Sequence, residues 1–271
     1  MSETLAFFAI QISLLAVVLV LHTYIGLHII RRSIIFCDLV LDQLAAFGAL
    51  VAIALGIQYG TGGSYLVSLG AVLFGSLLLA LVKPKNRLIP QEAIIGIMYA
   101  LALVASLLLG DKLSGGSTYV AKTLTGCMLW VTWPLVIVTV LVYVALLLFH
   151  YKFRRTFIGM TEKTETVARG KFWDFLLFTT QGIITVLIVP IAGVLLAYAF
   201  LMIPAAISGM FVKGWGRAVV VGWSVGFVSC LAGLFASYFF NLPYGPTLVL
   251  ALGFVFICAV FLRAVLPQNA R

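Results

Sequence analysis

Two aspartates, Asp38 and Asp42, lie well inside a long apolar stretch and are the residues best suited to chemistry. Being four residues apart, they share one face of a helix about one turn apart. A charge at membrane depth costs roughly 2.5–3.5 kcal/mol on insertion scales, so a pair of charges needs a partner. A bound cation is the simplest partner. One alternative is an ion pair with Arg31 or Arg32, although these arginines lie at the membrane interface and can extend away from the aspartates. The other alternative is a proton relay.

The ligands that such a pair offers are carboxylate oxygens, which suit manganese, magnesium and ferrous iron and also bind zinc beside histidine or thiolate. Gln43 follows Asp42 but points about 100° away around the helix. It is therefore a candidate for a supporting contact beside the ion pathway, or for packing alone. His22 lies deeper in its segment than His28 and His150 and is a further pathway candidate. Other ligands have to come from other segments, which the sequence does not identify.

The composition is that of an integral membrane protein. Of 271 residues, 63% are hydrophobic and only 9% are charged, whereas a soluble domain carries about 25% charged residues. The sequence contains no GxxxxGK[ST] phosphate loop and no HExxH or GxSxG motif, so membrane-enzyme hypotheses are weak. ATP hydrolysis, if transport uses it, requires a separate subunit.

Apolar segments long enough to span a bilayer predict an all-α bundle in a single transmembrane domain over residues 1–271. Nine spans are predicted, or eight if one segment is re-entrant, at 4–30, 34–58, 64–82, 91–110, 124–150, 173–189, 191–212, 219–240 and 246–265. Fifteen of the 17 basic residues fall in loops or ends that alternate to one side. The positive-inside rule therefore predicts an outside N-terminus and a cytoplasmic C-terminus.

Proline marks two positions in the apolar run from 173 to 212. Pro190 is predicted to divide two spans, and Pro204 to kink or break the second one, because proline removes a backbone donor and clashes with the preceding turn. Broken helices line cavities in transporters. Met202 and Pro204 are therefore pathway or gate candidates, with a plain structural kink as the alternative.

The longest polar stretch, about 152–171, is predicted to be a cytoplasmic loop with a short helix from about Thr161 that stops at Gly170. It is either a solvated linker or a docking segment for a cytoplasmic partner. The docking candidates are Glu162, Glu165, Thr166, Ala168, Arg169 and Gly170.

The sequence resembles the membrane permease subunits of bacterial zinc, manganese and iron ABC transporters over nearly its whole length. The resemblance rests on HTYIGLHIIRRSIIFCDLVLDQLAAFGA, QEAIIGIMYALA, GCMLWVTW, ETVARGKFWDFLLF, GVLLAYAFLMIPAAISGMF and LPYGPTLVLALG. The family's second-span motif reads Gly-Asp-x-x-Ser-His, with its Asp and His as metal ligands. Asp38 matches that Asp, whereas Asp42 stands at the His and Leu41 at the Ser, which leaves the metal open.

This resemblance implies a permease of the bacterial inner membrane that imports a divalent transition metal as substrate, with Asp38 and Asp42 as ligands and no permanent cofactor. It implies a second permease copy, two cytoplasmic ATPase subunits and an extracytoplasmic metal-binding protein as partners. The family's coupling helix falls on residues 161–170. The chain itself is then not an enzyme. The alternatives are a gradient-driven cation transporter or channel that uses the aspartates as a relay, and a membrane scaffold without transport activity.

Overall fold

The computed structural model describes residues 3–82, 89–126, 131–163 and 169–265, which form helices throughout. The helices are α1 (Glu3–Arg32), α2 (Phe36–Ala54), α3 (Gly62–Leu81), α4 (Gln91–Lys112), α5 (Gly116–Thr125), α6 (Trp133–Lys152), α7 (Arg154–Glu162), α8 (Gly170–Phe211), α9 (Trp215–Phe239) and α10 (Tyr244–Val265). No strand occurs in these residues. The predicted all-α fold is confirmed.

Eight of the helices in the described ranges are long and apolar enough to cross a membrane. One of them, α8, has 42 residues, which would extend about 63 Å if it were straight. A bilayer core is only about 30 Å thick. A helix of this length must therefore tilt far, leave the membrane or turn back.

The contacts of α8 show that it turns back. Near its start, Asp174 pairs with Arg32 at the end of α1, and further along the chain Ala205 packs against Leu27, also near the end of α1. Between these points Gly193 has φ 77° and ψ 164°, a non-helical conformation that glycine adopts without strain. Thus α8 crosses the bundle twice, which agrees with the predicted total of nine spans.

The structure corrects the predicted division at Pro190 and the break, though not the kink, predicted at Pro204. The break lies at Gly193 rather than at Pro190, because only the glycine can take the positive φ of the turn. Pro204 does not break the helix, since Gly193 is the one residue of α8 with non-helical backbone angles. The Pro204 ring instead packs against Gly226 of α9, and its carbonyl oxygen lies against Gly222, since neither glycine has a side chain to fill the space.

A third correction concerns the predicted span 124–150. Residues up to Thr125 belong to the separate short helix α5, and the spanning helix α6 starts only at Trp133. Gly126, with φ 77°, ends α5. A Cβ on Gly126 would overlap the backbone of Ala192, so the end of α5 lies against the reversal of α8.

The bundle places α2 and α8 at its centre. Most of the residues in the apolar windows of these two helices are buried, whereas α4, α6 and α10 lie at the periphery. The end of the bundle where α1 ends, α7 lies, α8 starts and α9 starts carries Arg31, Arg32 and Arg217, and we call it the basic end. The end with Gly193 and α5 is the opposite end.

Candidate cation site

The two aspartates lie on the face of α2 that is turned into the bundle. Ser33 has φ 56°, so the chain leaves helical geometry directly after α1, and α2 begins three residues later at Phe36. The Phe36 amide donates to Glu92 Oε1 of α4 at 2.8 Å, which satisfies one free donor at the start of α2. Two residues after Phe36, Asp38 is 2% exposed, and one turn after Asp38, Asp42 is completely buried.

The residues that face the aspartates come from the first crossing of α8. Gln181 Nε2 donates to Asp38 Oδ1 at 2.7 Å, and Thr185 Oγ1 donates to Asp42 Oδ1 at 3.0 Å. Both pairs have the i, i+4 spacing of one helix face. The contact is therefore a ladder of two hydrogen bonds between two buried helices.

The second oxygen of each carboxylate has a different environment. Asp38 Oδ2 and Asp42 Oδ2 are buried and have no hydrogen-bond partner among the described residues. A buried acceptor without a partner costs on the order of 1–3 kcal/mol, and more if it is charged. The ladder thus orients both carboxylates and leaves one oxygen of each available to a cation.

Neither arginine near the aspartates neutralises them. Arg31 pairs with Glu162, and Arg32 pairs with Asp174 at 2.7 Å. The alternative of an ion pair between Asp38 or Asp42 and these arginines is therefore wrong. The donors that do reach the aspartates, an amide and a hydroxyl, are neutral.

The thiol of Cys37 extends this arrangement. Cys37 Sγ lies 3.9 Å from Gln181 Oε1, and Gln181 Nε2 bonds Asp38. Because the amide oxygen faces the thiol and the amide nitrogen faces the carboxylate, Gln181 is held at both ends. Its orientation towards Asp38 is thereby fixed.

The other pathway candidates do not join the ladder. Gln43 Nε2 donates to Ser106 Oγ of α4 at 2.9 Å, on another side of α2. His22 Nδ1 lies 2.9 Å from the Val18 carbonyl, and its ring stacks on Tyr143. Met202 and Pro204 are buried in the second crossing of α8. In the described ranges, no three His, Cys, Asp or Glu side chains come together in a metal-binding group.

The basic end contains a second polar cluster, which ties α7 to the bundle. Thr161 Oγ1 donates to the Phe157 carbonyl at 2.9 Å, so it must accept its other bonds. It accepts from Arg32 Nε at 2.9 Å and from His28 Nδ1 at 2.7 Å. The same Arg32 binds Asp174 of α8. One arginine thus links α1, α7 and α8.

Glu162 completes this cluster at the surface. It accepts hydrogen bonds from Arg31 and from Trp215 Nε1, the latter at 3.0 Å. The Arg31 guanidinium also lies 4.3 Å from the centre of the Trp215 ring. The last residue of α7 is therefore joined to α1 and to the start of α9.

Most of the helix predicted from about Thr161 to Gly170 falls on residues 164–168, which lie outside the described residues. The described helix is α7, which ends at Glu162, and both Lys163 and Arg169 have positive φ. Lys163 ends α7, and Arg169 precedes Gly170, which is the first residue of α8. Of the predicted docking residues, Glu165, Thr166 and Ala168 lie outside the described residues.

Sequence reasoning missed Gln181 and Thr185. The available signal was their i, i+4 spacing within an otherwise apolar stretch, the same spacing that identified Asp38 and Asp42. Which helix would face the aspartates depends on the tertiary packing, so this signal had no partner in the sequence alone.

Comparison with known proteins gives consistent matches. The family model described as ABC 3 transport family (ABC-3) matches residues 5–263. The chain is 27% identical over 177 residues to the Synechocystis uncharacterized membrane protein slr2045, with 64% of the chain and 63% of that protein covered. It is 27% identical to the Listeria monocytogenes manganese transport system membrane protein MntC, with 75% and 74% covered.

Two longer alignments are with streptococcal proteins. The manganese import system permease protein ScaB of Streptococcus pneumoniae is 24% identical over 255 residues, with 90% of the chain and 86% of that protein covered. The solved structure of PsaBC from Streptococcus pneumoniae in complex with Fab superposes with a TM-score of 0.77 at 21% identity. The superposition covers 97% of this chain and 92% of that one, which shows a shared fold.

Proposed function

The chain belongs to the ABC 3 transport family, and from this premise we propose that it is the permease subunit of an ATP-driven importer of a divalent transition-metal ion. Asp38 and Asp42 hold the ion during its passage. The observation that carries the proposal is the pair of buried carboxylates, each held at Oδ1 by α8 and unpartnered at Oδ2.

Two buried carboxylates at membrane depth require compensation, and two neutral donors supply only part of it. A divalent cation between the Oδ2 atoms would neutralise both charges at once. A small shift of α8 would then exchange the hydrogen bonds for metal ligation or restore them after release. Gln181 and Thr185 thus orient the carboxylates in the absence of the ion.

The donor types favour some divalent ions over others. The ladder offers carboxylate, amide and hydroxyl oxygens, which suit manganese and ferrous iron better than zinc. His22 is engaged with Val18 and Tyr143, so it is not poised to add a nitrogen ligand. Manganese is also the metal in the names of the MntC and ScaB relatives. We therefore take manganese as the first substrate to test, before ferrous iron and zinc.

The energy for transport would come from partner subunits, as in other ABC importers. The proposed assembly has two copies of a cytoplasmic ATPase, an extracytoplasmic metal-binding protein and a second copy of this permease, in the bacterial inner membrane. The basic end then faces the cytoplasm, since the positive-inside rule assigns clustered lysines and arginines to that side.

Coupling between the ATPase and the ion site would run through Arg32 and α8. An ATPase that pushes on α7 acts on Thr161, which binds Arg32, which binds Asp174 in the first turns of α8. Gln181 lies seven residues further along the same helix, or about 10 Å. A movement of α7 would therefore be transmitted along α8 to Gln181 and Thr185, which hold the aspartates. Glu162 takes the coupling role proposed for this loop, and Arg169 and Gly170 lie at the junction with α8.

The test is manganese uptake by proteoliposomes that contain the permease, its ATPase and metal-loaded binding protein. Replacing both site residues, Asp38→Asn with Asp42→Asn, should lower ATP-dependent uptake by roughly 100-fold or more, because the loss of outer-sphere partners alone costs about 10–100-fold at metal sites. Asp111→Asn is the matched control, since that carboxylate is exposed near the end of α4, and its uptake should equal that of the unchanged protein.

Three results would be informative against the proposal. Undiminished uptake by the double variant would move the ligands elsewhere. Uptake by the permease alone, driven by an ion gradient without ATP, would favour a secondary transporter. Uptake of zinc in preference to manganese would contradict the assignment from oxygen donors and keep the transporter class.

A further inference from the structure

A cavity of about 470 Å³ opens at the basic end between the last turn of α8, the first turn of α9 and the last turn of α10. Three basic side chains line it: Lys213 between α8 and α9, Arg217 of α9 and Arg263 of α10. They come from three separate elements and converge on one space. Its lining contains no carboxylate.

The three cations differ from the other arginines of the basic end in their partners. None of them forms an ion pair in the part of the chain that the structure describes, in contrast to Arg31 and Arg32 at the same end. Arg217 is also the third residue of α9, where the positive end of the helix dipole disfavours a cation. The N-cap residue Gly214 offers no side chain to cap the free amides there. The described lining of this cavity thus carries three positive charges and no negative one.

The surroundings of the cavity are those of a membrane surface. On the side of α10 that carries Arg263, Val260 is exposed and Phe256 is partly exposed, one and two turns before the arginine. Among the candidate spans in the described residues, α10 is the least buried. A ligand in this cavity can therefore place a charged group among the three cations and apolar chains along α10. Anionic phospholipids have this combination of parts.

We propose that this cavity binds the phosphate of an anionic phospholipid, with its acyl chains along the side of α10 that carries Val260 and Phe256. The topological role of basic residues requires only that they lie on one side of the membrane. It does not require three of them to converge on one cavity without a counter-charge. The proposal is independent of the transported ion and of the aspartate site.

The experiment measures equilibrium binding of fluorescent phosphatidylglycerol to the full-length protein in detergent micelles. Unlabelled phosphatidylglycerol should displace the probe, whereas phosphatidylcholine and millimolar inorganic phosphate should not. Each of Lys213→Gln, Arg217→Gln and Arg263→Gln should weaken binding about five-fold and the triple variant about a hundred-fold, as expected for separate basic contacts to an anionic lipid.

The matched control neutralises three exposed basic residues of the same end, Lys152→Gln, Arg155→Gln and Lys171→Gln, and should retain full affinity. Equal weakening by this control would reduce the site to general charge attraction and overturn the proposal. Displacement of the probe by inorganic phosphate would assign the cavity to a free anion instead of a lipid. Unchanged affinity in the triple variant would exclude the cavity. The single variants keep the test valid if the triple variant fails to fold.

Discussion

The described residues bury carboxylates in two places, and each place gives them a different kind of partner. At the basic end, Asp174 faces the guanidinium of Arg32 at 2.7 Å, so charge meets opposite charge. In the centre of the bundle, Asp38 and Asp42 meet only a neutral amide and a neutral hydroxyl, and one oxygen of each has no described partner. The first carboxylate has its counter-charge within the chain, whereas the pair in the centre has none among the described residues.

This difference separates structure from function. A paired buried charge holds helices in place, and removal of one partner is strongly destabilising because it leaves an uncompensated charge. A site that must bind and release an ion cannot be fully satisfied by its own side chains. The same substitution, Asp to Asn, should therefore have opposite effects on stability in the two clusters.

The largest effect is expected at the paired cluster. Asp174→Asn leaves Arg32 mostly buried without its counter-charge, and this should lower the free energy of unfolding by about 3–5 kcal/mol. The measurement is the midpoint of thermal unfolding in detergent. A double variant, Asp174→Asn with Arg32→Gln, removes both charges and should recover part of the loss. A midpoint equal to that of the unchanged protein would show that this ion pair does not hold α1 to α8.

A smaller effect of opposite sign is expected at the aspartate ladder. Asp42→Asn keeps an oxygen that can accept from Thr185 and removes a charge at membrane depth, so metal-free stability should rise by roughly 1 kcal/mol. The same thermal midpoint measures it, in the presence of a metal chelator. Thr185→Val in the unchanged background is the companion variant, and it should lower stability by about 1 kcal/mol through the lost hydrogen bond. A clear loss of stability in Asp42→Asn would mean that the carboxylate is already compensated in the absence of metal.

Much of this architecture could be predicted from the sequence because a bilayer permits few solutions. Spanning helices must be long and apolar, so the number of spans and most of their positions follow from hydropathy. The sequence analysis predicted the reversal at Pro190, three residues before its true position at Gly193, because proline is the stronger indicator of a helix end. The turn instead requires a positive φ, which only glycine tolerates well. Local preferences alone did not distinguish the two residues.

Only half of the candidate site could be predicted from the sequence. Asp38 and Asp42 stand out because a charge in an apolar segment is costly wherever the segment packs. Gln181 and Thr185 lie about 140 residues away in the chain, and their roles depend on which face of α8 meets α2. The same holds for α7, whose residues 154–162 look like solvated charge in the sequence but are tied down by Arg31, Arg32 and Trp215.

The smallest effect on stability is expected at the exposed edge of the paired cluster. Glu162 and Arg31 are both partly exposed to solvent, and such pairs contribute about 0–1 kcal/mol. Glu162→Gln retains an oxygen that can accept from Trp215 Nε1, so the unfolding midpoint should change little. If α7 transmits force from an ATPase, the same variant should nevertheless lower metal-stimulated ATP hydrolysis in the assembled transporter, because it loosens the last residue of α7 from α1. The companion variant is Thr161→Val, which removes the buried contact with Arg32. If metal-stimulated ATP hydrolysis is unchanged in Glu162→Gln but lost in a folded Thr161→Val variant, the force passes through the contact with Arg32 alone.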